Sequence, residues 1–150
     1  MIAVIQICSS ANVKVNNNII GKIDKGLVVF LGIHREDSRY DADYLVKKIL
    51  SLRIYNDNNE KMNLSLKDIK GSILVISQFT LCGNTKKGRR PSFINAAHSD
   101  KGKELYKYFI SLLINKNISV QSGEFGANMD VQLVNQGPVT FILDSMDNSN

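Results

Sequence analysis

The chain has no tryptophan and only two cysteines, two prolines and two histidines among its 150 residues. Cys8 and Cys82 lie in apolar, strand-like contexts without Cys-x-x-Cys spacing, which predicts reduced packing residues rather than a disulfide framework. No apolar run approaches the ~20 residues of a membrane span, and no signal-peptide pattern opens the chain. We therefore expect a soluble, cytoplasmic protein without membrane association.

Metal-ligand clusters and nucleotide-binding motifs are also missing, which argues against several further classes of enzyme. The sequence has no His-x-x-x-His or Cys-x-x-Cys cluster, so we predict neither a metal site nor a cofactor. Neither Gly-x-Gly-x-x-Gly nor Gly-x-x-x-x-Gly-Lys-Ser/Thr occurs, which removes the usual signatures of dinucleotide and nucleoside triphosphate binding. His34 follows a strand and His98 precedes a helix, and neither setting indicates the base of a catalytic triad.

The chain does contain enough apolar sequence for one globular domain. Hydrophobic residues make up 43% of it, and a chain of this length buries roughly 70% of its unfolded surface on folding. We predict a single domain over residues 1–145 and a frayed polar tail over residues 146–150. The formal net charge of +5 favours a polyanionic partner.

Apolar periodicity predicts eight strands and two helices. One helix is predicted to begin near Ser38, where Asp41 completes a capping box, and a second to begin near Asp100. The predicted strands cover residues 2–8, 12–15, 19–23, 27–31, 72–77, 118–122, 131–134 and 139–144. This order predicts an α+β fold with largely antiparallel sheets, which form a barrel-like or two-layer core with the two helices packed on one side.

The first polar block, Ser77-Gln78-Phe79-Thr80-Leu81, directly follows an apolar strand. Strand alternation predicts that Gln78 and Thr80 share one face while Ser77 and Phe79 share the other. One interpretation is the solvated face of a strand. The other is an array of hydroxyl, amide and backbone donors directed at a developing oxyanion.

The second polar block, Asn135-Gln136-Gly137-Pro138-Val139-Thr140, interrupts a strand. Apolar residues keep one alternating phase on both sides of the interruption: Val131, Leu133, Val139, Phe141 and Leu143. Proline cannot donate to a sheet ladder and glycine weakens a strand. Because the alternation continues on both sides of them, we interpret the interruption as a functional feature of the strand.

The two blocks closely resemble the Ser-Gln-Phe-Thr-Leu and Asn-x-Gly-Pro-Val-Thr signatures of the D-aminoacyl-tRNA deacylases, also called D-tyrosyl-tRNA deacylases. The resemblance extends through Leu143. Other segments similar to the family follow in the expected order: Lys61-Met62-Asn63-Leu64, Gly88-x-Arg90-Pro91-Ser92-Phe93 and Gly126-Ala127-x-Met129. Two independent signatures are more specific than one short motif.

The resemblance implies a hydrolase that cleaves the ester of D-aminoacyl-tRNA, releasing the D-amino acid and tRNA in translation quality control, and that also accepts glycyl-tRNA. It implies a homodimer in which a cis Gly137-Pro138 peptide enters the partner's pocket. Met129 is placed near the terminal adenine. The pocket at the ester is assigned to Ser77, Gln78, Phe79 and Thr80. The ribose 2′-hydroxyl of the tRNA would assist the attack, with the protein supplying orientation and oxyanion stabilisation.

Two further features bear on that resemblance. A basic loop containing Lys86, Lys87, Arg89 and Arg90 suits tRNA phosphates, or else is ordinary solvated surface. Most family members carry Gln-Arg-Val in the first strand, whereas this chain has Gln6-Ile7-Cys8, so the arginine expected to anchor the Gly-Pro carbonyls is missing.

Two other functions stay open at this point. The net charge of +5 and the basic loop favour a non-catalytic RNA-binding module, although 7% aromatic residues supply no aromatic-rich stacking platform. Turnover would exclude that alternative. A general small-ester hydrolase using Ser77 or Thr80 as nucleophile would act without tRNA, so a requirement for tRNA would exclude it.

Overall fold

A computed structural model describes residues 1–148 of the chain. The strands in this part are β1 (Ile2–Val15), β2 (Asn18–Ile23), β3 (Gly26–Gly32), β4 (Tyr55–Asn56), β5 (Met62–Leu64), β6 (Ser72–Ser77), β7 (Ser119–Ser122) and β8 (Asp130–Asp144). The helices are α1 (Arg39–Ser51) and α2 (Ser99–Asn115), with short 3₁₀-helices at Phe79–Cys82 and Ser145–Asn148. The predicted α+β class is confirmed.

The main sheet is built around β1, the strand that pairs antiparallel with β2, β3 and β8. The pairings of β3 with β6 and of β6 with β7 are parallel, in contrast to the antiparallel majority. Each parallel pairing spans a crossover that contains a helix, α1 in the first and α2 in the second, because parallel neighbours cannot be joined by a tight turn. β2 and β7, at the two ends of the strand order, also contact each other, so the sheet is barrel-like.

Both predicted helices are present and pack against each other and against the sheet. The carboxylate of Asp41 accepts a hydrogen bond of 2.8 Å from the backbone N–H of Ser38, which satisfies a donor at the start of α1. The helix faces bury Ala42, Leu45, Val46 and Ile49 from α1, and Leu105, Tyr106, Phe109 and Leu113 from α2. Complete burial of each large apolar side chain contributes about 1.5–3 kcal/mol.

β1 and β8 are each continuous where the sequence predicted two strands, because the chain bulges instead of breaking. Gln6 pairs with Thr140 and Cys8 pairs with Asn135. Between these pairs β1 supplies only Ile7, whereas β8 supplies residues 136–139, which therefore project from the sheet. Ile7 is 5% exposed and belongs to the apolar core.

The two ends of the described chain meet. The Met1 ammonium donates hydrogen bonds of 2.7 Å to Asp37 Oδ1 and 2.7 Å to Ser145 Oγ. Residues 146–148, for which the sequence predicted fraying, continue in the 3₁₀-helix Ser145–Asn148, and residues 149–150 of the predicted tail lie outside the described residues. Neither helix within residues 1–148 has the length and apolar character needed to cross a membrane.

Candidate functional site

A cavity of about 460 Å³ lies at the carboxyl ends of the parallel strands β3, β6 and β7. Its polar lining comes from Ser77, Gln78, Ser99 and Asn128. The remaining walls are apolar or backbone: Leu31, Ile33, Ile76, Phe79, Ala96, Ala97, Gly102, Phe125, Gly126, Ala127, Met129 and Val131. A volume in this range suits a small-molecule group that is oriented by a few polar contacts.

The first polar block forms one end of this cavity. β6 stops at Ser77, and the chain then turns into the 3₁₀-helix Phe79–Cys82, so the predicted strand alternation is wrong beyond Gln78. The backbone N–H of Gln78 donates to the Leu31 carbonyl at 2.8 Å, which holds this turn against β3. Ser77, Gln78 and Phe79 line the cavity, and exposed Thr80 connects to them by accepting a hydrogen bond from Gln78 Nε2.

Another part of the wall is supported by a buried tyrosine of α2. Tyr106 donates its hydroxyl proton to the Val75 carbonyl at 2.8 Å, and its ring centroid lies 5.7 Å from that of Phe125. Burial raises the pKa of Tyr106, so the hydroxyl stays protonated as a donor. Phe125 is thereby held in the apolar wall, to which Met129 also belongs, and the sequence indicated only Met129.

The cavity lining is electrically neutral. None of the sixteen residues that line it is of an ionisable type. Burial, with a smaller contribution from the Asp37 carboxylate, raises the pKa of nearby Cys82 to about 11, so this thiol is protonated at neutral pH. Across residues 1–148, no group of three or more His, Cys, Asp and Glu side chains is placed to hold a metal ion.

The second polar block lies elsewhere on the surface. The Gly137–Pro138 peptide is cis, as the resemblance implies, and both residues are exposed. Among the residues that the structure describes, neither of them lines the cavity of its own chain. The first and second polar blocks are therefore not brought together within one copy.

Side chains hold the base of this projecting block. Asn135 Oδ1 accepts the Val139 N–H at 3.2 Å, and Asn135 Nδ2 donates to Thr140 Oγ1 at 3.1 Å. Gln6 Nε2, on the neighbouring strand β1, donates to the same Thr140 oxygen at 3.1 Å. These contacts connect both ends of the bulge to each other and to the sheet.

The basic loop lies beside the first polar block. Asn84 and Ser92 exchange backbone hydrogen bonds of 2.8 and 3.0 Å, so the chain leaves the 3₁₀-helix and returns to it. Between them, Lys86, Lys87, Arg89 and Arg90 are all exposed.

A family model and individual relatives of this chain agree on the same family. The model for D-Tyr-tRNA(Tyr) deacylase matches residues 4–144. A D-aminoacyl-tRNA deacylase of Thermosipho melanesiensis is 58% identical over 146 residues, covering 97% of this chain and 97% of the relative. One of Clostridium botulinum, strain Alaska E43, is 54% identical over 148 residues, covering 99% of each chain.

Solved structures share the fold. The structure titled c-Myc DNA Unwinding Element Binding Protein has a TM-score of 0.90 at 36% identity, covering 96% of this chain and 98% of that chain. A probable eukaryotic D-amino acid tRNA deacylase has a TM-score of 0.80 over 95% of this chain and 98% of that chain, and its 20% identity supports likeness of fold alone.

Proposed function

The chain belongs to the D-Tyr-tRNA(Tyr) deacylase family of hydrolases, and we propose that it hydrolyses the ester between a D-amino acid and the 3′-terminal adenosine of tRNA. The proposal includes glycyl-tRNA as a substrate. The observation that carries it is the cavity of about 460 Å³, whose lining is electrically neutral and largely apolar and contains four polar side chains, those of Ser77, Gln78, Ser99 and Asn128.

The cavity offers different surfaces to the two parts of such a substrate. Phe125 and Met129 suit an adenine ring, because they present apolar surface next to the amide of Asn128. Ser77 and Gln78 are placed for the ester, where a hydroxyl and an amide stabilise the oxyanion that develops as the carbonyl is attacked. Because these donors are held by β6 and the 3₁₀-helix, they need little reorganisation during the reaction.

The neutral lining supports assistance from the substrate itself. Water adds to the ester carbonyl carbon, and the bond to the ribose oxygen then breaks. The water loses one proton, and the ribose oxygen gains one. With no ionisable side chain in the lining, we assign the proton transfer to the 2′-hydroxyl of the terminal adenosine and orientation of the ester to the protein.

The Gly137–Pro138 block is assigned to the cavity of a second copy. It projects from β8, is held at its base and lies outside its own cavity, so only another chain offers it a pocket of this kind. Exposed apolar side chains on the same strand, Val134 at 56% and Ile142 at 73%, favour a contact between copies. A rigid backbone wall rejects an L side chain by exclusion, which discriminates better than apolar contact, where one methylene contributes ~1–3 kcal/mol.

Contacts with phosphates of the tRNA are assigned to the basic loop. Lys86, Lys87, Arg89 and Arg90 are exposed on one short, closed loop next to Phe79. Cationic side chains in such a loop bind phosphates and release counterions. A substrate of this kind places the protein in the cytoplasm.

Release of amino acid from D-tyrosyl-tRNA, L-tyrosyl-tRNA and glycyl-tRNA, measured side by side with a chelator present, tests the function. We expect hydrolysis of the D and glycyl esters and survival of the L ester. Hydrolysis of both enantiomers would support deacylase activity and contradict the proposed exclusion of L side chains by the Gly137–Pro138 block. If no ester is cleaved, the non-catalytic RNA-binding alternative takes its place.

Thr80→Ala tests whether Thr80 positions the site or attacks the ester. Because Thr80 acts here through its neutral hydrogen bond with Gln78, and such a bond contributes ~1 kcal/mol, we expect kcat to fall about five- to tenfold. KM should change little. Complete loss of turnover, or an acyl group trapped on Thr80 and detected by mass spectrometry, would instead indicate a nucleophile.

A further inference from the structure

The segment Gly88-x-Arg90-Pro91-Ser92-Phe93 has no role in the reaction described above, yet it ends on an exposed aromatic ring. Phe93 packs edge-on against Phe79, with ring centroids 4.9 Å apart and an interplanar angle of 64°. The two side chains remain 38% and 59% exposed, and the neighbouring Ile94 is 72% exposed. We call Phe79, Phe93 and Ile94 the aromatic rim.

The backbone is arranged to hold Phe93 in this position. The paired hydrogen bonds between Asn84 and Ser92 return the chain to the end of the 3₁₀-helix. There the Phe93 ring lies so close to Gly83 that a Cβ on this glycine would be 2.9 Å from ring atom Cε1. A larger residue at position 83 would therefore push the ring away from Phe79.

The aromatic rim is continuous with the cavity. Phe79 lines the cavity itself, and Ala96 and Ala97, which follow Ile94 closely in the chain, form part of its wall. The N–H of Ala96 donates to the Phe93 carbonyl at 3.0 Å, and the N–H of Ala97 donates to the Ile33 carbonyl at 2.9 Å. An occupant that leaves the mouth of the cavity on this side meets the exposed rings directly.

The charges near the aromatic rim indicate which class of ligand would bind there. Residues 83–99 include Lys86, Lys87, Arg89 and Arg90 and contain no aspartate or glutamate. Aromatic rings beside unopposed cations fit a single-stranded nucleic acid, whose bases stack and whose phosphates pair with the cations. An acidic peptide would use the cations and leave the rings without a matching planar partner.

We propose that the aromatic rim stacks the unpaired nucleotides that precede the terminal adenosine of tRNA, while the basic loop contacts their phosphates. The inference rests on the proposed function, because it extends the path of the same substrate out of the cavity. Stacking depends little on base identity, so the surface accepts tRNAs that carry different amino acids.

The test compares a long and a short substrate for the same chemistry. We would measure kcat/KM for D-tyrosyl-tRNA and for the 3′-D-tyrosyl ester of adenosine, which does not extend past the cavity. Phe93→Leu keeps the apolar volume and removes the aromatic face. The ratio of kcat/KM for D-tyrosyl-tRNA to kcat/KM for the adenosine ester should therefore fall about tenfold, because KM for the tRNA rises. Phe93→Tyr keeps the ring and should hold the ratio within about twofold of the unmodified protein.

A binding measurement separates this inference from the proposed function. The unmodified protein should bind uncharged tRNA more tightly than the same tRNA shortened by its unpaired 3′ nucleotides. Phe93→Leu should reduce this difference about tenfold, and the remainder belongs to the terminal adenosine in the cavity. This result supports the aromatic rim even if no ester is hydrolysed. An equal loss on both esters, an unchanged ratio, or a change of oligomeric state in sedimentation would overturn the proposal, the last by making the rim a contact between copies.

Discussion

Gly137→Ala is expected to reduce the preference for D- over L-aminoacyl-tRNA by about a hundredfold, because a displacement of ~1 Å in a reacting site costs that much. Gly137 has a φ of +122°, a region that residues with a Cβ rarely adopt. A Cβ there would lie 2.7 Å from Val139 Cγ2 and 3.1 Å from the Val139 backbone nitrogen. The block must therefore move if alanine is introduced.

The displacement should be local. Asn135, Thr140 and Gln6 hold the base of the block through three hydrogen bonds of 3.1 to 3.2 Å, so the exposed tip moves while β1 and β8 stay paired. A backbone forced into a sparsely populated region costs about 1–3 kcal/mol, which for a chain of this size lowers Tm by about 2–12 °C. Loss of discrimination together with a nearly unchanged fold is the expected signature.

The measurement is kcat/KM for D-tyrosyl-tRNA and L-tyrosyl-tRNA, with circular dichroism as the check on folding. Gln136→Ala is the matched control, because it truncates an exposed side chain of the same block at a position without a positive φ. Its ratio should stay close to that of the unmodified protein. A Gly137→Ala variant that retains full discrimination would show that this block does not contact the amino acid.

The helices could be predicted because their signals are local. In α1 the Ser38 and Asp41 pair marks the start, and the spacing of Ala42, Leu45 and Ile49 marks the buried face. β6 could be predicted with its observed bounds, since a short apolar run between polar residues leaves little freedom. These features depend on neighbours within a few positions in the chain.

Other features depend on distant contacts and have no local signal. β4 and β5 contain two and three residues, too few for an alternating pattern, so the sequence predicted no strand there. The 3₁₀-helix after Ser77 forms where the chain leaves β6, and the hydrogen bond from the Gln78 N–H to the Leu31 carbonyl of β3 holds it there. The bulge opposite Ile7 is defined by β1–β8 register, which neither strand specifies alone.

The site was only partly accessible to sequence reasoning for a similar reason. Ser77 and Gln78 are polar residues at the end of an apolar strand, and that contrast is visible in one segment. Ala96, Ala97 and Phe125 have no distinguishing chemistry, and they line the cavity only because α2 and the loop after β7 pack beside β6. The two rings of the aromatic rim, Phe79 and Phe93, are separated in the chain, so an overall aromatic content of 7% did not reveal their contact.

Asp37→Ala is expected to cause the largest loss of stability, about 3–5 kcal/mol, because it leaves a buried charge without its partner. The Met1 ammonium and Asp37 are 0% and 5% exposed, and they are 2.7 Å apart. Asp37 Oδ2 also accepts the N–H of His34 at 2.6 Å, so the same substitution leaves a second donor unpaired. A typical domain is stable by only 5–15 kcal/mol, so about a fifth or more of the total free energy of unfolding would be lost.

The ion pair is part of a larger hydrogen-bond network, and the contribution of this network to stability depends on pH. Ser145 Oγ accepts from the Met1 ammonium and donates to Asp41 Oδ1 at 2.7 Å. Partial burial acts to raise the pKa of Asp41, but hydrogen bonds from Ser145 and Ser38 outweigh it and hold this pKa below its usual value. Because the folded pKa is the lower one, Asp41 stabilises the fold above the unfolded pKa of about 3.9, and that contribution disappears as the pH falls through the folded value.

Thermal unfolding followed by circular dichroism at pH 7 measures the effect of Asp37→Ala, and Tm should fall by about 6–20 °C. Glu36→Ala is the matched control one residue away, because Glu36 is 85% exposed and pairs with Arg35 at 3.0 Å on the surface. Surface pairs contribute ~0–1 kcal/mol, so this control should shift Tm by at most about 4 °C. Equal shifts for the two variants would mean that the Met1 ammonium finds another partner or is solvated, and that the meeting of the two chain ends contributes little to stability.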